Sequence, residues 1–247
     1  MSTYKPLAEK LRPSELNDFI GQRHLLDSDK PIGKALSDKQ LHSMILWGPS
    51  GVGKTTLARI ICAQMGAHFE QMSAVLDGIK ELRNVIKHAE LYKQNDTSTI
   101  LFVDEIHRFN KAQQDAFLPH IESGLITLIG ATTENPSFEI NSSVLSRARV
   151  YILNKLSSKE LESIAVRAMT DQAITLENDG SLSLIIDSSD GDARRLINII
   201  EQLTHKSNHA LSKKDIVKTL QSKVSSFDKG GDIYYEQLSA FHKSVRG

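Results

Sequence analysis

The chain has 247 residues, and its 30 Lys plus Arg against 30 Asp plus Glu give a formal net charge of zero. That balance excludes a polycation holding nucleic acid by bulk charge, because such affinity comes mainly from Lys and Arg neutralising phosphates. The balance is local as well as global, with 17 basic and 17 acidic groups in residues 1–154 and 13 of each in 155–247.

Residues Met1 to Leu16 are polar and charged, without the apolar stretch of a signal peptide, and no run approaches the roughly 18 apolar residues of a membrane span. The single cysteine, Cys62, excludes an intrachain disulfide and a zinc site built on several thiolates. These features predict a soluble cytoplasmic protein with no membrane partner. Three apolar runs follow in chain order, Met44 to Trp47, Ile100 to Val103 and Leu125 to Ala131. They read as buried parallel strands, with Trp47 in the core. Between them, Leu57, Ile60, Ile61 and Gln64, and then Ile79, Leu82, Ile86 and Ala89, recur with helical period. Alternating strands and helices predict an α/β fold with a parallel sheet covered by helices.

The first run ends in Gly48-Pro49-Ser50-Gly51-Val52-Gly53-Lys54-Thr55, which matches G-x-x-x-x-G-K-[ST] between a strand and a helix. Glycines let such a loop curl until its backbone N–H groups face a β-phosphate, with the positive end of the next helix behind them. Lys54 then reaches the β- and γ-phosphates of ATP, and the Thr55 hydroxyl ligates Mg²⁺. The second run ends in Asp104-Glu105. A first acid at a strand tip can hold the metal through water, and a second can activate the attacking water. The third ends in Thr132-Thr133-Glu134-Asn135, polar groups able to sit beside a γ-phosphate. Arg147 in Leu145-Ser146-Arg147-Ala148-Arg149 is a candidate arginine finger for a neighbouring subunit. One arginine of Gly191-Asp192-Ala193-Arg194-Arg195 is a candidate γ-phosphate contact from the later half.

Beyond residue 156 the strand signals stop. Start signals at Ser157-x-x-Glu160 and Ser212-x-x-Asp215 introduce helices through Leu161 to Met169, Leu182 to Ile186, Arg194 to Leu203 and Ile216 to Leu220. The expected division is a large α/β domain over 1–155, a helical lid over 156–222, and the start of a further helical region over 223–247. Lys206, Lys213, Lys214, Lys218 and Lys223 form the most basic stretch and read as a solvated helix face. His205 and His209 read as a polar loop, and Cys62 as buried packing.

In this order the elements resemble the clamp-loader-like branch of the AAA+ ATPases, from about Leu7 to the chain end. Leu11-Arg12-Pro13 with Phe19-Ile20-Gly21-Gln22 is similar to its N-terminal adenine-binding boxes. Asp104 to Lys111, Gly130 to Phe138, Leu145 to Val150 and Ser239 to Gly247 resemble a replication- and recombination-associated subgroup. The resemblance implies a P-loop NTPase core with a helical lid and assigns nucleotide contacts to Arg12, Pro13, Ile20, Gly48 through Thr56 (Pro49, Ser50, Gly51, Val52, Gly53, Lys54 and Thr55 between them) and Arg194. Thr55 and Asp104 hold Mg²⁺, Glu105 acts on water, Thr133 is the sensor at the strand tip, and Arg147 is the trans-acting finger. It further implies ATP hydrolysis in an oligomer near the nucleoid, on DNA with single-stranded ends, gaps or forks, alongside single-stranded DNA-binding protein and other replisome components. The resemblance to that subgroup further implies a continuation past the position of Gly247 into helices that drive tetramer formation. Two other readings stay open at this point, a clamp-loader subunit and a non-hydrolysing ATP-dependent scaffold.

Overall fold

The computed structural model describes residues 4–204 and 210–227, the last six as helical backbone. In chain order the elements are α1 (Leu7–Lys10), a 3-10 turn (Leu16–Asp18), α2 (Arg23–Leu26), α3 (Pro31–Ser37), β1 (Met44–Trp47), α4 (Lys54–Met65), β2 (His68–Ser73) and α5 (Ile79–Lys93). There follow β3 (Thr99–Asp104), a second 3-10 turn (Ile106–Arg108), α6 (Lys111–Asp115), α7 (Leu118–Glu122), β4 (Ile126–Thr132), α8 (Pro136–Glu139), α9 (Ser142–Leu145) and β5 (Arg149–Ile152). Helices α10 (Ser158–Asp171), α11 (Ser181–Ser189), α12 (Ala193–Leu203) and α13 (Lys213–Phe227) complete the described chain.

The five strands pair in parallel in the order β2-β3-β4-β1-β5. Successive residues of a strand face opposite sides of a sheet, and β3 shows the consequence. Ile100 and Phe102 join a core with Leu57, Ala58 and Ile61 of α4, while Leu101 and Val103 join another with Leu82, Val85 and Ala89 of α5. A strand buried on both faces has to be apolar throughout, which is why this run is legible. A third core is purely helical: Leu161, Ala165, Leu184, Leu196 and Ile200 pack together, joined by Leu7 of α1, which lies far away in sequence. Glu201 fastens that N-terminal segment by accepting from the Leu7 backbone N–H at 2.8 Å.

Helix starts follow their capping chemistry. Ser157 and Glu160 form a reciprocal capping box on α10, and Asp192 caps α12 by accepting from the Arg195 N–H at 2.8 Å. Helix α12 buries Leu196, Ile197, Ile199, Ile200 and Leu203 on one face. At about 1.5–3 kcal/mol per buried aliphatic side chain, this stripe is the main reason the short helix is stable.

The differences from the sequence-based expectation are in the edge strands and in single faces. Strand β2 carries no apolar run, and β5 carries the short run Val150 to Leu153 with Val150 and Ile152 exposed; each is an edge strand with only one neighbour, where such side chains are tolerated. Trp47 is half-buried rather than core, because it ends its strand at the open edge of the sheet. Gln64 is exposed, with Cys62 buried in its stead, and Val85 rather than Ile79 belongs to the α5 core. Burial pushes the Cys62 thiol up to about 11, which fits inert packing. His205, His209, Lys206 and residues 228–247, including Ser239 to Gly247, lie outside the described residues.

Candidate active site

The central strands end level with one another. Parallel pairing sets Trp47 beside Thr132 and Val103 beside Gly130, and the Gly48 N–H donates to the Thr132 carbonyl at 3.1 Å. The loop after β1, the two acids after β3 and the threonines closing β4 therefore meet at one sheet edge. Open α/β sheets place their ligand crevice there.

The edge opens into a cavity of about 500 Å³ between the sheet and the helical unit. Ser50 through Thr56 curl along its floor, Asp104 and Glu105 stand beside them, Arg12, Pro13 and Ile20 form one wall, and Arg194 stands on the helical wall. Gly51 and Gly53 have φ of 66° and 99°. A Cβ on Gly53 would lie 2.8 Å from the Phe19 ring, and one on Gly51 would lie 1.7 Å from an Asp192 carboxylate oxygen. Glycine is thus required twice over, for backbone conformation and for the approach of its neighbours.

Lys54 opens α4 and is 8% exposed, its Nζ donating to the carbonyls of Gly48 at 2.7 Å and Pro49 at 2.8 Å. Burial lowers its pKa, against the pull of Glu105, Asp104 and Asp192, while Arg194 lowers it further. The Asp104 carboxyl is raised, by burial first and by Glu105 second, with Lys54 and Arg194 acting the other way. Both groups thus carry charges that their surroundings compensate incompletely. A glycine loop curled over an under-compensated lysine at a helix start, with a destabilised carboxylate alongside, fits a magnesium nucleotide, with Lys54 and the loop able to take the phosphates and Thr55 and Asp104 able to take the metal. Among the described residues, no group of three His, Cys, Asp or Glu side chains could hold a metal without help from such a ligand.

Glu105 has φ of 51°, the left-handed region, at a cost of roughly 1–2 kcal/mol for a residue with a Cβ. The kink sends its carboxylate across the tip of β4, where the Thr133 hydroxyl donates to Oε2 at 3.4 Å. His107 Nδ1 lies 3.2 Å from the same oxygen and 2.9 Å from Thr132 Oγ1. Thr132 and Thr133 diverge here, since Thr132 is fully buried and Thr133 exposed. Thr56 accepts from Arg12 Nη1 at 3.0 Å, tying the N-terminal segment to α4.

Gly48, Pro49 and Thr133 adjoin the cavity without lining it, and Arg147 lies apart from the other expected site residues. It does not line this cavity; its Nε donates to Glu122 at 2.7 Å and its Nη1 to the Ser143 carbonyl at 2.9 Å. Several contributors had escaped the motif reading. Asp192 accepts from the Ser50 hydroxyl at 2.7 Å, and the Ala193 N–H donates to the Gly51 carbonyl at 3.1 Å, so the start of α12 touches the phosphate loop directly. Asn198 and Arg167 line the helical wall. Asn198 lies one turn beyond Arg194, so helical spacing alone could have flagged it. At the junction between sheet and helical unit, Gln22 and Asn154 exchange two bonds, Nε2 to the Asn154 carbonyl at 2.8 Å and the Asn154 N–H to Oε1 at 2.9 Å.

A parallel sheet with this loop leading into a helix, two acids at the tip of β3 one strand removed, and a helical unit across the cavity defines a P-loop protein of the AAA+ class. The family model described as the Holliday junction DNA helicase RuvB P-loop domain matches residues 11–148, and one described as an AAA C-terminal domain matches 170–246. Replication-associated recombination protein A of Escherichia coli K12 is 48% identical over the whole chain, and ATPase WRNIP1 of Dictyostelium discoideum 43% identical over 99% of it. The chain spans 58% of the first and 31% of the second. The Thermotoga maritima RuvB Holliday junction branch migration motor shares the fold at a TM-score of 0.72 with 28% identity, over 96% of this chain and 81% of that one. The chain therefore belongs to the AAA+ family of the RuvB-type P-loop domain and, within it, resembles replication-associated recombination protein A from end to end.

Proposed function

We propose that the chain is the ATP-hydrolysing core of an AAA+ protein that acts on DNA during replication-fork maintenance and recombination. The observation that carries the hydrolytic part is the convergence of Lys54, Asp104 and Glu105 on one cavity, since a protein that only bound nucleotide would have no use for a second acid set in a strained backbone. The DNA-directed part is supported by similarity to relatives named for replication and recombination.

In this reading residues 1–155 are the ATPase domain, 156–222 the lid, and 223–247 the start of a further region. Bound Mg²⁺ would neutralise phosphate charge and polarise the γ-phosphoryl group. Lys54 and the loop N–H groups hold the phosphates, Thr55 and Asp104 hold the metal, and Glu105 takes the proton of the attacking water. Thr133 keeps the Glu105 carboxylate turned toward that water. Arg194 reads the γ-phosphate from the lid, and the Asp192–Ser50 contact transmits the lid angle to the loop. Arg147 serves the next subunit's site, releasing Glu122 as it does so, which makes turnover depend on self-association. Zero net charge in both halves supports a grip on single-stranded ends, gaps or forks that arises on assembly. Replisome components, including single-stranded DNA-binding protein, are the expected company, and a cytoplasmic, nucleoid-associated location follows. No described helix is long and apolar enough to cross a membrane.

The test is ATPase activity against protein concentration, with and without single-stranded DNA, for the wild type, Glu105→Gln and Arg147→Ala. Specific activity is expected to rise with concentration, and loss of a trans-acting finger commonly costs about 10³- to 10⁵-fold. Equal activity of all three proteins at every concentration would refute the hydrolytic and trans-finger assignments together.

A further inference from the structure

The Glu105 carboxylate receives two protein donors, and one of them belongs to no part of the scheme above. His107 sits on the 3-10 turn that follows Glu105, its side chain 8% exposed against 32% for Glu105. The turn is anchored by Ile106, fully buried and seated against Gly130, where a Cβ would come within 3.0 Å of the Ile106 side chain. The imidazole is thereby pressed between the tip of β4 and the carboxylate.

Hydrogen-bond accounting fixes which proton it carries. Thr132 Oγ1 accepts from the Glu134 N–H at 3.0 Å and lies 3.2 Å from the Glu134 carbonyl, to which it can give its own proton. One lone pair of the hydroxyl then remains for the ring. Were Nδ1 unprotonated, its lone pair would face the carboxylate at 3.2 Å with nothing between them. With Nδ1 protonated, the single N–H is shared between Thr132 Oγ1 and Glu105 Oε2, and both oxygens face a donor.

We infer that His107 is a positioning residue for ATP hydrolysis, holding the Glu105 carboxylate through Nδ1–H and tying its direction to the buried Thr132 at the tip of β4. The inference rests on the hydrolytic reading of this site. Both donors converge on Oε2, which leaves Oε1 as the oxygen to accept the water proton. Thr133 alone, exposed and 3.4 Å away, is a weak tether; the buried ring is the rigid one. A carboxylate that swings freely still leaves the loop, Lys54 and Asp104 in place. The expected signature is therefore in turnover and not in binding.

The experiment compares wild type, His107→Phe and His107→Asn, in each case as the full 247-residue chain. Phenylalanine keeps a ring of similar shape without the donor, and asparagine offers an amide N–H near the place of Nδ1. Displacing a catalytic group by an ångström can cost about 10²-fold, so His107→Phe is expected to lose one to two decades of kcat with KM and the Kd of a non-hydrolysable ATP analogue unchanged within about twofold. His107→Asn should recover most of the loss. Unchanged kcat in His107→Phe, or an equal loss in both variants, would overturn the proposal. A second measurement does not need turnover: long-range ¹H–¹⁵N spectra of the wild-type chain, with His107 assigned through the Asn variant, should show the Nδ1-protonated tautomer. Should the wild type prove unable to hydrolyse ATP, the hydrolytic reading fails first and His107 loses its role with it. An Nε2-protonated ring in a chain that does hydrolyse ATP removes the positioning contact alone.

Discussion

The two walls of the cavity are built on opposite principles. On the sheet side Lys54 is buried with its pKa lowered, the Asp104 carboxyl is raised by burial, and Glu105 occupies the left-handed region. On the lid side caps at Ser157 and Asp192 open helices whose apolar stripes meet in one core, and the left-handed residues Ala173 and Asp190 lie in the turns that end helices, away from that core. Incompletely compensated charge is thus concentrated on the sheet side, at Lys54 and Asp104, and the helical wall is held by ordinary apolar packing. The difference teaches that sheet-side substitutions should cost chemistry, while lid-side ones should cost folding.

The sharpest test of that contrast is Glu105→Gln. Losing a general base commonly costs about 10²- to 10⁴-fold, and here kcat should fall by that much while nucleotide affinity and thermal stability hold. Ile200→Ala is the lid-side counterpart. Ile200 is fully buried, and such truncations cost about 2–5 kcal/mol, so urea unfolding should show a large loss of stability. An Ile200→Ala protein as stable as wild type would mean that the lid does not hold its own core. Asp192→Ala should be intermediate. It removes a cap worth about 1 kcal/mol and also the bond to Ser50, so a small drop in unfolding midpoint should accompany weaker coupling between nucleotide binding and lid protection in hydrogen exchange.

The smallest effect has the most informative sign. Because the folded-state pKa of Asp104 lies above its unfolded value, its charge disfavours folding above the folded pKa, and this penalty fades as pH falls toward about 3.8. Asp104→Asn should therefore melt slightly higher than wild type near neutral pH without nucleotide, and the gap should close as the pH is lowered. A lower melting temperature for Asp104→Asn at neutral pH would contradict the account of incompletely compensated sheet-side charge.

How far each wall was legible in the sequence follows from the distance between interacting residues. The phosphate loop is a contiguous octapeptide between a strand and a helix, so its chemistry was readable at once. Asp104 and Glu105 were readable because β3 is buried on both faces and its apolar run stops abruptly at the tip. Strand β2 was not, since His68 to Ser73 owe their pairing to a neighbour and not to their own composition, while β5 offered only the short apolar run Val150 to Leu153 behind two arginines. The contacts that tune the site are hidden for a related reason. His107 meets Thr132 and Arg147 meets Glu122 each across 25 positions, and Ser50 meets Asp192 across 142. Only the fold brings such pairs together.

The reciprocal pair of bonds between Gln22 and Asn154 has a mechanical consequence. Gln22 is 5% exposed and itself left-handed at φ of 56°, so it cannot easily follow a moving partner. It pins the chain two residues after β5 and four before α10. The helical unit is consequently tethered to the sheet at Asn154, just ahead of its first helix, by two bonds that reach the backbone of that residue from a single buried side chain.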